Sequence, residues 1–190
     1  MIEIMLDYLR SLPHSMRTFR KGQYLFHQGD PVDLMFLVEN GEALLLRRHR
    51  DGSLVVLQRA TSGAVLAEAS LFSSVYHCDA IANTRVVVRL ILRIKMKELF
   101  ETNVTFASNW ASHLADEVRH ARLRAEILSL KTVSERLNAW IANAGCLPTK
   151  GSWKATAQEI GTSAEALYRE MARRKRFSRG LKTQSTSRQL

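Results

Sequence analysis

Residues 63–82, GAVLAEASLFSSVYHCDAIA, have the layout of a phosphate-binding cassette. Gly63 makes a turn, Ala67-Glu68-Ala69-Ser70-Leu71-Phe72 reads as one helical turn, and a returning strand follows. In such a cassette the N–H groups of the short helix offer an anion site. A basic side chain on the returning strand would complete it, and this strand has none. The stretch therefore reads as a pocket of sensor type whose usual anionic ligand does not fit.

On either side of the cassette, turn signals recur: Lys21-Gly22, Gly29-Asp30-Pro31, Asn40-Gly41, Asp51-Gly52 and Ser62-Gly63. The last four glycines are 12, 11 and 11 residues apart, a spacing that suits short strands joined by tight turns. β-like runs fill the gaps at Tyr24–His27, Met35–Val38, Ala43–Arg48 and Leu54–Arg59, and Asp79–Asn83 and Val86–Ile94 close the series. Residues 17–94 thus predict an antiparallel roll of jelly-roll, cupin-like form. Ile2, Met5, Leu6 and Leu9 predict a short amphipathic helix before it.

The period changes at Lys95. A short helix is expected over Lys95–Glu101, then a long one along which Ala107, Ala111, Leu114, Val118, Ala121, Ala125 and Leu128 form an a/d seam. Small residues at alternate seam positions favour close pairing of two parallel copies, so a homodimer is expected. Phe106 and Trp110 lie beside the seam, placed to pack on the roll. Leu130–Ala144 reads as a further amphipathic helix ended by Gly145, with Pro148 barring its continuation. Thr156–Ser163 reads as helix, Gly turn and Ser163 N-cap, and Ala164–Arg173 as the next helix. Two helices joined by such a turn make a helix-turn-helix, whose second helix enters the major groove. The fold class is α+β, with a sensing roll over 1–104, a dimerisation helix and hinge over 105–131, and a helix-turn-helix over 132–176. A basic, disordered tail is expected over 177–190, and no recognisable wing follows the helix-turn-helix.

The chain has 190 residues and a formal charge of +10. Residues 1–105 hold 13 basic and 11 acidic side chains, residues 106–172 hold 8 and 7, and residues 173–190 hold 7 and none. Most of the excess thus lies at one end, where it draws nucleic acid through counterion release. No apolar run nears the ~20 residues of a membrane span; a cytoplasmic protein with no membrane partner is expected. The two cysteines, Cys78 and Cys146, form no spaced set for zinc or a disulfide framework. No catalytic constellation is present, so an enzyme is not expected.

The order of parts resembles the CRP/FNR family of bacterial transcription regulators, over about residues 19–172. The likeness is carried in the roll by Phe19-Arg20-Lys21-Gly22, Gln28-Gly29-Asp30-Pro31, Asn40-Gly41-Glu42, Glu68 with Leu71-Phe72, and Tyr76-His77. It continues in Val133-Ser134-Glu135-Arg136-Leu137 and in Gly161-Thr162-Ser163 with Glu165, Tyr168 and Arg169. The resemblance implies a dimer that senses a small molecule or redox state and reads palindromic double-stranded DNA. It leaves RNA polymerase open as a further partner. Ser163, Glu165, Tyr168, Arg169 and Arg173 are the expected DNA contacts; Glu165 would accept from a cytosine amino group and Arg169 donate to guanine or phosphate.

The resemblance also defines the pocket as Glu68, Ala69, Ser70, His77, Cys78 and Asp79. Glu68 matches the family's ribose-binding acid, but its phosphate-binding Arg and following hydroxyl are here Cys78 and Asp79. Two charge-assisted bonds of roughly 1.5–3 kcal/mol each are lost. Asp79 would add repulsion of about 4 kcal/mol at ~4 Å and an effective dielectric near ~20. Half that sum weakens binding about a thousandfold. Cyclic AMP and cyclic GMP are therefore not expected as ligands, and no cofactor is expected. A metal, haem or redox sensor through His77 and Cys78 is a lesser alternative, opposed by strand neighbours facing opposite sides. The other is a roll dimer with impaired DNA binding that serves as a ligand- or protein-binding module.

Overall fold

A computed structural model describes residues 2–48 and 54–186; the expected turn at Asp51-Gly52 lies outside the described residues. The chain divides into two compact units, 1–116 and 117–190. In the first, helix α1 (Ile2–Ser11) leads into strands β1 (His14–Phe19), β2 (Tyr24–Phe26), β3 (Leu34–Asn40) and β4 (Ala43–Arg48). Strands β5 (Leu54–Ala60) and β6 (Val65–Leu66), a 3₁₀ turn (Glu68–Ser70), β7 (Asp79–Ala82), β8 (Val86–Leu92) and helix α2 (Arg93–Thr102) complete the roll. Two four-stranded sheets, ordered β1-β8-β3-β6 and β2-β7-β4-β5, are antiparallel at every pairing. The expected roll is thus present, with two additions. β1 escaped the sequence because five of its six side chains are exposed, leaving no alternation to read. β6 has only two residues.

The core lies between the sheets. Met35, Phe36, Leu37 and Val38 are all buried, as a strand covered on both faces requires. Met5, Leu6 and Leu9 of α1 join the same cluster, as their helical spacing predicts. Phe26 stacks on Tyr76 with centroids 3.9 Å apart, and the Tyr76 hydroxyl donates to the Leu34 carbonyl. Gly41 closes the β3–β4 turn at φ +86°; a Cβ there would overlap the Arg85 carbonyl oxygen.

Helix α3 (Val104–Ser129) carries the boundary between the units. Phe106 and Trp110 are fully buried in the roll core, beside the seam as expected. The second unit adds α4 (Val133–Ala144), a 3₁₀ turn (Lys150–Ser152), α5 (Trp153–Glu159) and α6 (Ala164–Thr186). Its core gathers Ile127, Leu137, Ala157, Ile160, Leu167 and Met171. Thr132 begins α4 with a capping box: its hydroxyl accepts from Glu135 N–H at 3.1 Å and its own N–H donates to the Glu135 carboxylate at 2.9 Å. Gly145 ends it in the left-handed region, as read from the sequence.

One expectation needs correcting. The second helix of the helix-turn-helix does not stop at Arg173 before a disordered tail; α6 continues to Thr186. Its Ser, Thr, Gln, Lys and Arg content reads as disorder, yet no proline interrupts it and Lys, Arg and Gln are good helix formers. Residues 187–190 lie outside the described residues.

Candidate functional site

The cassette brings together part of the predicted pocket. Ala67, buried and left-handed at φ +58°, starts the 3₁₀ turn that carries Glu68, Ala69 and Ser70. An L-residue held there stores strain of the kind found at ligand clamps. The turn's own carbonyls take the N–H groups of Ser70 and Leu71, at 2.8 and 3.2 Å, so those two donors are already in use. Ser70 is buried, and its hydroxyl lies 3.1 Å from His77 Nδ1. Glu68 is half-buried and Ala69 exposed.

His77, Cys78 and Asp79 alternate. Cys78 faces inward at 0% exposure, and burial pushes its thiol up to about 11. That is a packed core thiol rather than a nucleophilic thiolate. His77 is exposed; burial of part of its ring, then the Arg47 charge, holds it below its ordinary value. Asp79 belongs elsewhere: its carboxylate accepts from Gln28 N–H at 2.8 Å and lies 3.5 Å from His27 Nδ1. It ties the chain just after β2 to β7, and its charge still acts on the Cys78 thiol. Among the described residues no three His, Cys, Asp or Glu side chains cluster so as to hold a metal ion.

The second site is the helix-turn-helix formed by α5 and α6. Gly161 supplies the turn at φ +63° and lies against Leu128. Ser163 Oγ accepts from Ala166 N–H at 3.1 Å, capping α6 as predicted. Past this cap α6 is two-faced. Leu167, Glu170 and Met171 are buried, whereas Glu165, Tyr168 and Arg169 are exposed together. The Glu165 carboxyl is held below its ordinary value by its own backbone N–H, then by the Ser163 hydroxyl and the Arg169 charge. Tyr168 leans on Trp153 with centroids 5.2 Å apart.

Arg173, expected as a DNA contact, is exposed and also bonded within the unit. It donates twice to Glu170 at 2.8 Å, and Arg174 adds a third bond to that carboxylate at 2.7 Å. Arg174 also reaches Asn138 Oδ1 at 2.7 Å, while Ser134 meets both arginines. The basic run thus begins as a clamp of α6 on α4. The sequence signal for this was the i,i+4 pair Glu170–Arg174, hidden within a run that reads as tail.

Of the seam residues, Ala111, Val118, Ala121, Ala125 and Leu128 are exposed. Ala107 is half-buried, and Leu114 packs against the roll core.

Residues 16–103 match the cyclic nucleotide-binding domain family. The cyclic AMP receptor protein of Thermus thermophilus is 26% identical over 137 residues, 72% of this chain and 61% of that protein. The chain therefore spans about three fifths of the length of that curated relative. Among solved structures, FixK2 from Bradyrhizobium japonicum superposes with a TM-score of 0.69 at 21% identity, over 85% of this chain and 84% of that one. The c-di-GMP-responsive global regulator CLP of Xanthomonas campestris gives 0.67 at 16% identity, over 93% of each chain. The chain is thus similar to these proteins over most of its length, with a cyclic nucleotide-binding domain match confined to residues 16–103. Its likeness to the solved structures is one of fold. CLP is described as a global regulator that links cell–cell signalling to virulence gene expression. No described helix is long and apolar enough to cross a membrane.

Proposed function

We propose that this protein is a transcription regulator of the CRP/FNR family, cytoplasmic, homodimeric and DNA-binding, whose roll senses something other than cyclic AMP or cyclic GMP. The observation that carries it is the two-faced α6: Glu165, Tyr168 and Arg169 are exposed as a set directly after the Ser163 cap. A carboxylate and a guanidinium one helical turn apart match the donor and acceptor pattern of the major groove. Pairing along Ala111, Val118, Ala121 and Ala125 would present two such helices to a palindrome, one DNA turn apart. The sensing half of the proposal rests on Cys78, a buried thiol where a phosphate-binding arginine would stand.

Fluorescence anisotropy on a palindromic two-half-site duplex against a scrambled one, at about 0.15 M salt, tests this reading. The expected preference is roughly a thousandfold. Glu165→Ala and Arg169→Ala should each cut it by about 1–3 kcal/mol. Equal, salt-sensitive binding to both duplexes would mean that the basic end alone touches DNA.

A further inference from the structure

The run Arg173-Arg174-Lys175-Arg176 divides by what its members touch. Arg173 and Arg174 are bonded to Glu170. The ammonium of Lys175 stands 5.7 Å from the centroid of the Trp153 ring, and among the described residues no carboxylate pairs with it. Trp153 opens α5 and is itself fixed: its indole N–H donates to the Pro148 carbonyl at 3.0 Å, and Tyr168 lies against the ring at 5.2 Å. One half-buried ring thus holds two exposed side chains of α6 that are two helical turns apart. Both lie on a flank of the helix. At about 3.6 residues a turn, Tyr168 and Lys175 sit roughly a quarter turn around α6 from Glu165 and Arg169. A helix about 10–12 Å across fills a major groove about 12 Å wide. When Glu165 and Arg169 face the base edges, this flank faces the phosphates of one groove wall.

We propose that Lys175 contacts a DNA phosphate in register with the base contacts of Glu165 and Arg169, and that Trp153 is the residue that positions it. An aromatic face within about 6 Å attracts an ammonium without taking any of its N–H donors. The charge therefore stays available to an anion, and fewer rotamers of a long, flexible side chain are left to freeze when a phosphate arrives. A carboxylate partner would do the opposite, neutralising the charge before DNA reached it. This contact rests on the proposed DNA-reading role of α6 and adds to it a backbone anchor and the residue that sets the anchor in place.

The full-length protein is measured by anisotropy on the palindromic and scrambled duplexes across about 0.1–0.4 M salt. Lys175→Gln should lower the slope of log affinity against log salt by about 0.9, one phosphate's share, and weaken binding roughly fivefold at about 0.15 M. Preference for the palindrome should stay within about twofold, because a phosphate carries no sequence. Lys175→Arg should keep the wild-type slope, and so should Lys21→Gln on the roll. Trp153→Leu tests the positioning: in that background Lys175→Gln should cost less than about twofold, whereas after Trp153→Phe, which keeps a ring, it should cost as much as in wild type. Helical circular dichroism certifies the fold of each variant. Palindrome preference in wild type with an unchanged slope in Lys175→Gln overturns this inference alone. An equal cost of Lys175→Gln with and without the Trp153 ring overturns the positioning role. Wild type that binds both duplexes equally overturns the DNA-reading role, and the registered contact with it.

Discussion

Arg136 satisfies three backbone carbonyls with one side chain: Nε donates to Leu130 at 2.8 Å, and Nη1 to Gly161 at 2.9 Å and Ile160 at 3.3 Å. It thereby ties the turn of the helix-turn-helix to the break between α3 and α4, where a hinge was expected from sequence. Glycine plays the opposite part, yielding space instead of filling it. At Gly41 the backbone is left-handed, and any Cβ would overlap the Arg85 carbonyl oxygen and come within 2.9 Å of Val86 Cα. Both obstacles are backbone where the chain enters β8, so neither can rotate away. Left-handed backbone costs an L-residue roughly 1–2 kcal/mol, and displacing a strand adds to it. Gly41→Ala should therefore destabilise the roll by about 3 kcal/mol or more, read as a lower midpoint in urea unfolding. A loss under about 1 kcal/mol would show that the turn relaxes freely. Residues such as Gly41 and Gly161 were legible because a turn leaves a local mark. The bond from Arg47 to the His77 carbonyl was not, because it joins residues 30 positions apart through a pairing that sequence periodicity does not specify.

The elements of the second unit are joined by charge as much as by apolar contact. Glu170 is the pivot: Arg173, then Arg174 and Ser134, stabilise its carboxylate and bring it to about 2, against burial that opposes ionisation. Its unfolded value is near 4.5. Because the folded value is the lower one, the unfolded chain binds the proton first as pH falls. The contribution is thus complete above pH ~4.5 and is lost as pH drops through about 2. Arg173 is largely exposed, which screens its share of the attraction. Glu170→Gln should cost about 1–3 kcal/mol at neutral pH, and the difference from wild type should shrink toward zero only as pH falls through about 2. Urea unfolding followed by tryptophan fluorescence at both pH values checks this; a cost that persists undiminished in acid would assign the effect to packing. The roll, α3 and the helix-turn-helix were all legible as elements, since period and turn chemistry mark them. The clamp was not. Arg173 and Arg174 read as the start of a charged tail because their partners, Ser134 and Asn138, lie on a different helix.

At the scale of the whole molecule, the proposed function makes the seam of α3 the link between sensing and DNA reading. Ala111, Val118 and Ala125 recur every seven residues and are exposed, with exposed Ala121 and Leu128 three residues after the second and third. Their partial and full exposure contrasts with Phe106, Trp110 and Ile127 of the same helix, which are buried within their own units. One helix therefore has two apolar stripes, one already covered and one uncovered. A second copy is the occupant that the proposed function requires, because a single recognition helix reads half a palindrome. Ala121 is the position at which this is best tested, since it contacts neither core and a longer side chain there leaves each unit's packing intact. Ala121→Glu would force two carboxylates into one apolar seam, each at a cost of a few kcal/mol when buried without a partner. Self-association should weaken on the order of a hundredfold or more, seen as a shift from dimer to monomer mass by light scattering at micromolar concentration. Preference for the palindrome should fall with it, while the melting of the roll stays put. If Ala121→Glu leaves the mass unchanged, the copies meet elsewhere. If the mass halves but palindrome binding persists, each chain reads its half-site alone and the coupling of sensor to DNA through α3 fails.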